Sequence, residues 1–472
     1  MRIKYIRFIV ILNFILILIL MFINISNCFS FYLILVIGIS ILILKIVINK
    51  QKLRNIEKSY LLDLSLYSFT IKLFLITFLY IGFLGLGGDG FAFFDDRNYH
   101  YWAIELSSSW KAGKSLSMWA PMEGNPGYIY LCAFIYYLFE PNTLIARCFN
   151  SLISTLAIIY VYRISIKLFD TKTAKVASLL TAFFPPFLLW SSVQFKDVVV
   201  AFLIIYIIFQ TLEIQQNLKL HSIFKYIISL IILLTIRKQY FPIMVALSLF
   251  YLVISQKFSF KRYAIGLIML ISIIFTGFIT KGMGYGFLGS NLIIKGQFNV
   301  VDIRESYLKL IEEIRGGPRS SLIYLILKEN IFKKFYLIPI PLIFSILNPF
   351  PPWNIKPLKT PTTLFTNIGV IANWAWIFYL LVCFIFGFYY SVKYNFKKSF
   401  LLLSTSLVIL LGISLKYAGG VQRQFIPLVP FFMIFSSIGI INFPKWKKFY
   451  PFYIFILGTG FVLYLTLKWF VL

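Results

Sequence analysis

The chain has 472 residues, a length that in a soluble protein would mean about three domains of roughly 150 residues each. Composition overrides that expectation: 60% of the residues are hydrophobic and 13% charged, against about 45–50% and ~25% in soluble domains, and the mean hydropathy is +0.87. Polar groups are too few to cover a surface in water, so lipid is the solvent for most of the chain, which excludes a soluble enzyme, a disordered protein and a disulfide scaffold. The 45 Lys and Arg against 16 Asp and Glu leave a net charge of +29. Spread in small clusters between apolar runs, this excess argues against a nucleic-acid surface and fits cytoplasmic loops beside anionic lipid. Cys28, Cys132, Cys148 and Cys383 have no CxxC spacing and read as small buried hydrophobes.

In chain order, residues 1–20 have a basic start and an apolar stretch too long for a signal-peptide core, with no Ala-x-Ala-like cleavage site, and read as a retained first transmembrane helix. Spans of a length suited to a bilayer follow from apolar runs at 5–23, 29–48, 69–86, 143–168, 175–195, 198–212, 223–236, 241–255, 263–280, 364–390, 400–415, 425–441 and 451–470. Threading these 13 spans puts the basic groups around Lys50, Arg163, Lys257, Lys397 and Lys447 on one side, which is therefore the cytoplasmic one, and concentrates the carboxylates on the other. Two long extracytoplasmic loops remain, 87–142 and 281–363, each carrying a short apolar stretch at 126–139 and 335–347. The fold class is thus all-α and polytopic. It divides into an N-terminal two-helix extension (1–66), a main transmembrane domain (67–442) that carries both outer loops, and a C-terminal helix (443–472).

Polar groups near the spans are few enough to examine singly. Asp95 and Asp96 follow the third span directly: one carboxylate of such a pair can take a proton from an acceptor while its neighbour orients it, or both can be a solvated acidic loop. Tyr99, three residues after Asp96, shares a face with it if the segment is helical. Arg423 lies at the outer start of a late helix beside Gly419-Gly420, suited either to a phosphate or to lipid headgroups. Arg237 and Lys196 lie at outer ends with the same two readings, and Asp197 is either a functional carboxylate or the local partner of Lys196. Two motifs carry little. The GxGxxG at 284–289 follows a transmembrane helix rather than a strand, and His100 has only the distant His221 as a second histidine, which makes a zinc site poor. We expect no metal and no cofactor, a carboxylate-bound divalent cation being the one arrangement left open.

The order Asp95-Asp96-x-x-Tyr99-x-x-x-Ala103, Gly113, Asn125-Pro126-x-Tyr128 resembles the first outer loop of the GT-C membrane glycosyltransferases, in the branch of aminoarabinose and protein O-mannosyltransferase-like enzymes. Ala146-Arg147, Pro185-Pro186, Trp190-Ser191, Lys196-Asp197 and Arg423-x-x-x-Pro427-x-x-Pro430 agree in order with the same pattern. The resemblance implies a GT-C-type fold with its active site on the extracytoplasmic face of the cell membrane. It further implies a polyprenyl-phosphate-linked sugar as donor, an envelope glycan, lipid or protein as acceptor, and inversion with an acidic first-loop base, Asp95 or Asp96. In that reading Arg423, Arg237, Lys196, Asp197 and Tyr99 bind donor phosphate or substrate. The partners are these substrates and membrane lipids, with no nucleic acid. A polysaccharide polymerase of the O-antigen type and a non-enzymatic lipid or sugar transporter are the rivals, although no paired broken halves of a transporter are evident.

Overall fold

The computed structural model describes residues 31–113, 126–254, 342, 346–347, 355–417, 422–443 and 448–459. Every regular element among them is helical. Among the described residues seven helices are long and apolar enough to cross a bilayer, or eight when one bent pair is taken as a single span. The chain is a multi-pass membrane protein. Of the 13 expected spans, 5–23 and 263–280 fall outside the described residues, as does most of 451–470. Leu220–Ile236 and Tyr240–Ile254 are helical but shorter, at 17 and 15 residues.

Helix α1 (Phe31–Asn49) leads into α2 (Asn55–Gly85), which starts 14 residues before the apolar run expected at 69. The reason is local: the Glu57 carboxylate accepts from the Arg54 backbone N–H (3.0 Å) and from its guanidinium, so polar residues cap an extra length of helix instead of ending it. In the first long loop, α3 (Phe94–Lys111) is amphipathic and buries Asp96, Tyr99, Ala103 and Leu106 on one face, and the short apolar α4 (Gly127–Leu138) packs against it. The central α5 (Thr143–Leu168) is buried along nearly all its length.

The span expected at 175–195 is broken into α6 (Thr171–Phe183) and α7 (Pro185–Ser191), bent by 52°. Pro185 and Pro186 explain the break, since neither ring nitrogen can donate to the preceding turn. Then come α8 (Asp197–Gln216), α9 (Leu220–Ile236) and α10 (Tyr240–Ile254). After the second loop, α11 (Pro361–Ala375) runs through a π-helical turn, Trp376–Leu380, into α12 (Leu381–Tyr394), followed by α13 (Phe396–Tyr417), a 3₁₀ turn at Gln422–Leu428 and α14 (Val429–Asn442).

Helices α12 and α14 cross backbone to backbone. A Cβ on Gly387 would run into the carbonyl of Phe435, and one on Gly439 into that of Cys383. In lipid, where apolar surface alone does not drive association, such close approach gives the van der Waals contact that holds helices together. The 3₁₀ turn before α14 packs against α8 and α7.

Candidate active site

Where α2 ends and α8 begins, residues from four parts of the chain converge. The first is the start of α3. Asp96 is fully buried and turned back on its own helix start, accepting from the backbone N–H of Ala92 (3.1 Å), Phe93 (2.8 Å) and Arg97 (3.1 Å). The N–H groups of Ala92 and Phe93 are satisfied in this way, and that of Arg97 is shared with the Phe93 carbonyl. Burial pushes its carboxyl up to about 6, against the opposing pull of Arg147 and of the three N–H groups. Asp95, one residue earlier, points about 100° away around the helix and is free to face the site.

Asp95 forms an ion pair with Arg423, 328 residues along the chain. Their side chains are 41% and 29% exposed, so the pair is open to exchange. The 3₁₀ turn that contains Pro427 and precedes Pro430 presents Arg423, whose guanidinium lies over the ring of Phe195 at 5.5 Å. Its neighbour Gln424 accepts a hydrogen bond from Arg237 Nη1 (2.5 Å). Arg237, the residue that follows α9, pairs in turn with Asp197, the first residue of α8, at 2.8 Å. Both are almost completely buried. The sequence leaves open a pairing of Asp197 with adjacent Lys196; its partner is instead Arg237, and the Lys196 ammonium lies 5.6 Å from the centre of the Tyr99 ring. Burial and the charge of Arg237 bring Lys196 down to about 8.

Tyr99 lies under this cluster as a platform, edge-to-face with Tyr128 (5.1 Å between ring centroids) and Phe195 (6.3 Å). Burial, with Asp197 and Asp95 adding to it, raises its phenol well above the usual range and keeps it protonated. The charged side chains comprise three cations, Lys196, Arg237 and Arg423, and two carboxylates, Asp95 and Asp197. The balance is +1, suited to an anion.

All seven residues singled out from the sequence are among those described, and six of them (Asp95, Tyr99, Lys196, Asp197, Arg237 and Arg423) share this cluster. Asp96 is next to it but spends its oxygens on backbone. Phe195, Gln424 and Asn150 belong to the same arrangement and were missed. Phe195 reads as one more apolar residue, Gln424 is overshadowed by Arg423, and Asn150 had a signal in being an amide within an apolar span. His100 binds Tyr136 through Nδ1 (2.7 Å), and burial lowers it to about 4, so it is neutral. Among the described residues no group of three or more His, Cys, Asp or Glu side chains could hold a metal ion. The glycines at 284–289 and 419–420, together with Arg304, Glu305, Arg315 and Arg319 of the second loop, lie outside the described residues.

No curated protein matches the sequence. Solved structures that resemble the chain include ArnT from Cupriavidus metallidurans bound to undecaprenyl phosphate, at 13% identity and a TM-score of 0.47, over 76% of this chain and 58% of that one. The Archaeoglobus fulgidus oligosaccharyltransferase in complex with zinc and sulfate follows at 14% identity and 0.44, over 86% and 52%. The same oligosaccharyltransferase tethered to an acceptor peptide matches at 16% identity and 0.44, over 82% and 50%. The chain thus spans only 50–58% of the length of these proteins. Independently, residues 122–279 match the model of the dolichyl-phosphate-mannose-protein mannosyltransferase family, a segment that contains Lys196, Asp197 and Arg237 but neither Asp95 nor Arg423. This match covers about a third of the chain, and the likeness is to polytopic membrane glycosyltransferases, the class that the first-loop pattern also resembles.

Proposed function

We propose that the chain transfers a sugar from a polyprenyl-phosphate donor to an envelope glycan, lipid or protein on the extracytoplasmic face of the cell membrane, with inversion at the anomeric carbon. The observation that carries this reading is the ion pair between Asp95 and Arg423, set beside two further cations and an aromatic platform. It places a carboxylate able to accept a proton next to a guanidinium able to hold a phosphate.

In the resting protein Arg423 neutralises Asp95. A donor phosphate entering between Arg423 and Lys196 takes the guanidinium as its own partner and leaves the Asp95 carboxylate free for the acceptor. The acceptor hydroxyl or amine then loses its proton to Asp95 as its oxygen or nitrogen bonds to the anomeric carbon. On the opposite side the bond from that carbon to the phosphate oxygen breaks, and its electron pair stays on the phosphate. Charge therefore builds on the leaving group, where fixed cations in a low-dielectric setting stabilise it most. A polyprenyl phosphate leaves readily once so stabilised and needs no proton. Asp197 holds Arg237 in place for this task, and Tyr99 forms the floor on which the sugar rests.

The test is to assay purified protein with a panel of radiolabelled polyprenyl-phosphate sugars and total membrane acceptors. Transfer from one donor that disappears in Asp95→Asn, while donor binding persists, supports the reading. Parental rates in Asp95→Asn would remove Asp95 as the base, and a parent that transfers from no donor would favour a transporter. Sidedness has its own test in a cysteine-free background: Ser108→Cys should react with an impermeant thiol reagent in intact cells and Lys397→Cys should not. The reverse pattern would put the site on the cytoplasmic face.

A further inference from the structure

Three residues of the site, Phe195, Lys196 and Asp197, follow one another at the junction between the broken span and α8. The chain from Ser192 to Lys196 is not helical, so its carbonyls lack the regular partners a helix would supply. One side chain supplies them. Asn150, fully buried on α5, donates through Nδ2 to the carbonyls of Val193 (2.9 Å) and Phe195 (3.0 Å). Its Oδ1 accepts from the Tyr128 hydroxyl (3.2 Å), so both amide hydrogens and the amide oxygen are used. Tyr128 packs edge-to-face on Tyr99, the platform under Lys196.

We infer that Asn150 is a positioning residue for donor binding, fixing the 193–196 turn so that Phe195 meets Arg423, Lys196 faces the phosphate and Asp197 holds Arg237. This inference rests on the proposed transfer reaction. An amide is required at this place. An aspartate of the same shape offers no donor and sets its charge against two carbonyl oxygens, while a leucine takes the Asn150 donor from the buried Phe195 carbonyl and leaves the Val193 carbonyl only the Phe195 N–H (3.0 Å). Because Asn150 holds the cations and not the base, its loss acts on donor affinity. Asp95 is held separately by α3 and keeps its role in proton transfer.

The experiment compares parent, Asn150→Asp, Asn150→Leu and Tyr128→Phe, purified in detergent and matched for monodispersity and melting temperature. The quantities are binding of polyprenyl phosphate itself, KM for the donor, kcat, and the pH profile of kcat. We expect Asn150→Asp to raise donor KM and the polyprenyl phosphate Kd about 10- to 100-fold, with kcat at saturating donor and its pH profile near parental. Tyr128→Phe keeps both Nδ2 donors and should raise KM by less than about fivefold. Should Asn150→Asp destabilise the protein, the smaller Tyr128→Phe change in KM without a change in kcat still supports the inference. Three results overturn it: parental donor KM in Asn150→Asp, a loss of kcat equal to the loss of folded protein, or a shift in the pH profile. A parent that neither binds polyprenyl phosphate nor transfers sugar would overturn the inference together with the reaction it rests on, an outcome recognisable because the unmutated protein already fails.

Discussion

The two ends of the helix bundle both carry ion pairs, and they differ in how those pairs are assembled. At the end where α5 and α8 finish, Glu213 is held by Lys167 (2.6 Å) and Arg163 (3.4 Å), Arg163 also donates to the carbonyl of Lys52, and Glu57 is capped by Arg54 three residues away. Glu57 meets its partner at its own helix start, Glu213 meets its partners on a helix packed against its own, and Arg163 also reaches a loop carbonyl 111 residues away. At the opposite end Asp95 reaches Arg423 across 328 residues, and Arg237 joins Asp197 to Gln424 from two other elements. The first end is a set of clasps between neighbours. The second gathers charges from four separate segments, and its Asp95–Arg423 pair, at 41% and 29% exposed, is far more open than the buried Asp197–Arg237 pair. Charge alone therefore does not mark a site; charge assembled from distant segments around exchangeable pairs does.

The comparison breaks most sharply at Asp95. Its replacement by Asn should lower transfer by ~10² to 10⁴ with donor binding retained, because only a base is lost. Arg423→Ala should follow, with donor kcat/KM down roughly 10²-fold, while Arg423→Lys falls less because it keeps the charge and loses the planar fork. Equal donor affinity in parent and Arg423→Ala would make the residue an anchor to headgroups.

Asp96→Ala separates the neighbouring carboxylates: it should cost about 1–2 kcal/mol of stability through the lost helix-start contacts, measured as a lower melting temperature, with transfer per folded molecule kept. A smaller effect concerns pH. Lys196, brought down to about 8 by burial and Arg237, loses its charge as pH rises through that value, so affinity for an anionic donor should decline several-fold between about pH 7 and 9. In Lys196→Arg this limb should flatten, since a guanidinium stays charged there. A decline of the same size in Lys196→Arg would assign the limb to another group. Smallest of all in its effect on transfer, Glu213→Gln at the clasped end should leave the rate unchanged while lowering stability by about 1–3 kcal/mol, because Arg163 and Lys167, 9% and 12% exposed, lose their charged partner.

Much of this protein is legible without coordinates. Seven of the expected spans coincide with helices able to cross a bilayer, because the length of an apolar run reports directly on the solvent around it. The resemblance of the first loop picked out the two carboxylates, and the rarity of polar groups near spans picked out the cations. The extra turns of α2 before residue 69 were not legible, since a polar residue at a helix start looks like loop until its capping partner is known. The bend in the span at Phe184 was signalled by Pro185-Pro186, yet its angle depends on what α7 packs against.

What the sequence determined by itself is the class of molecule and its inventory: a polytopic helical membrane protein, an acidic loop at one end, and a short roster of ionisable groups near the spans. Only the tertiary structure decided who pairs with whom. It assigned Asp96 to its own backbone and Asp95 to Arg423, gave Asp197 to Arg237 in place of its neighbour Lys196, and set Asn150 against two carbonyls. Hydropathy describes how one segment meets lipid and is therefore local, whereas a pairing depends on the distance between segments that only the packing of helices brings within a few ångströms.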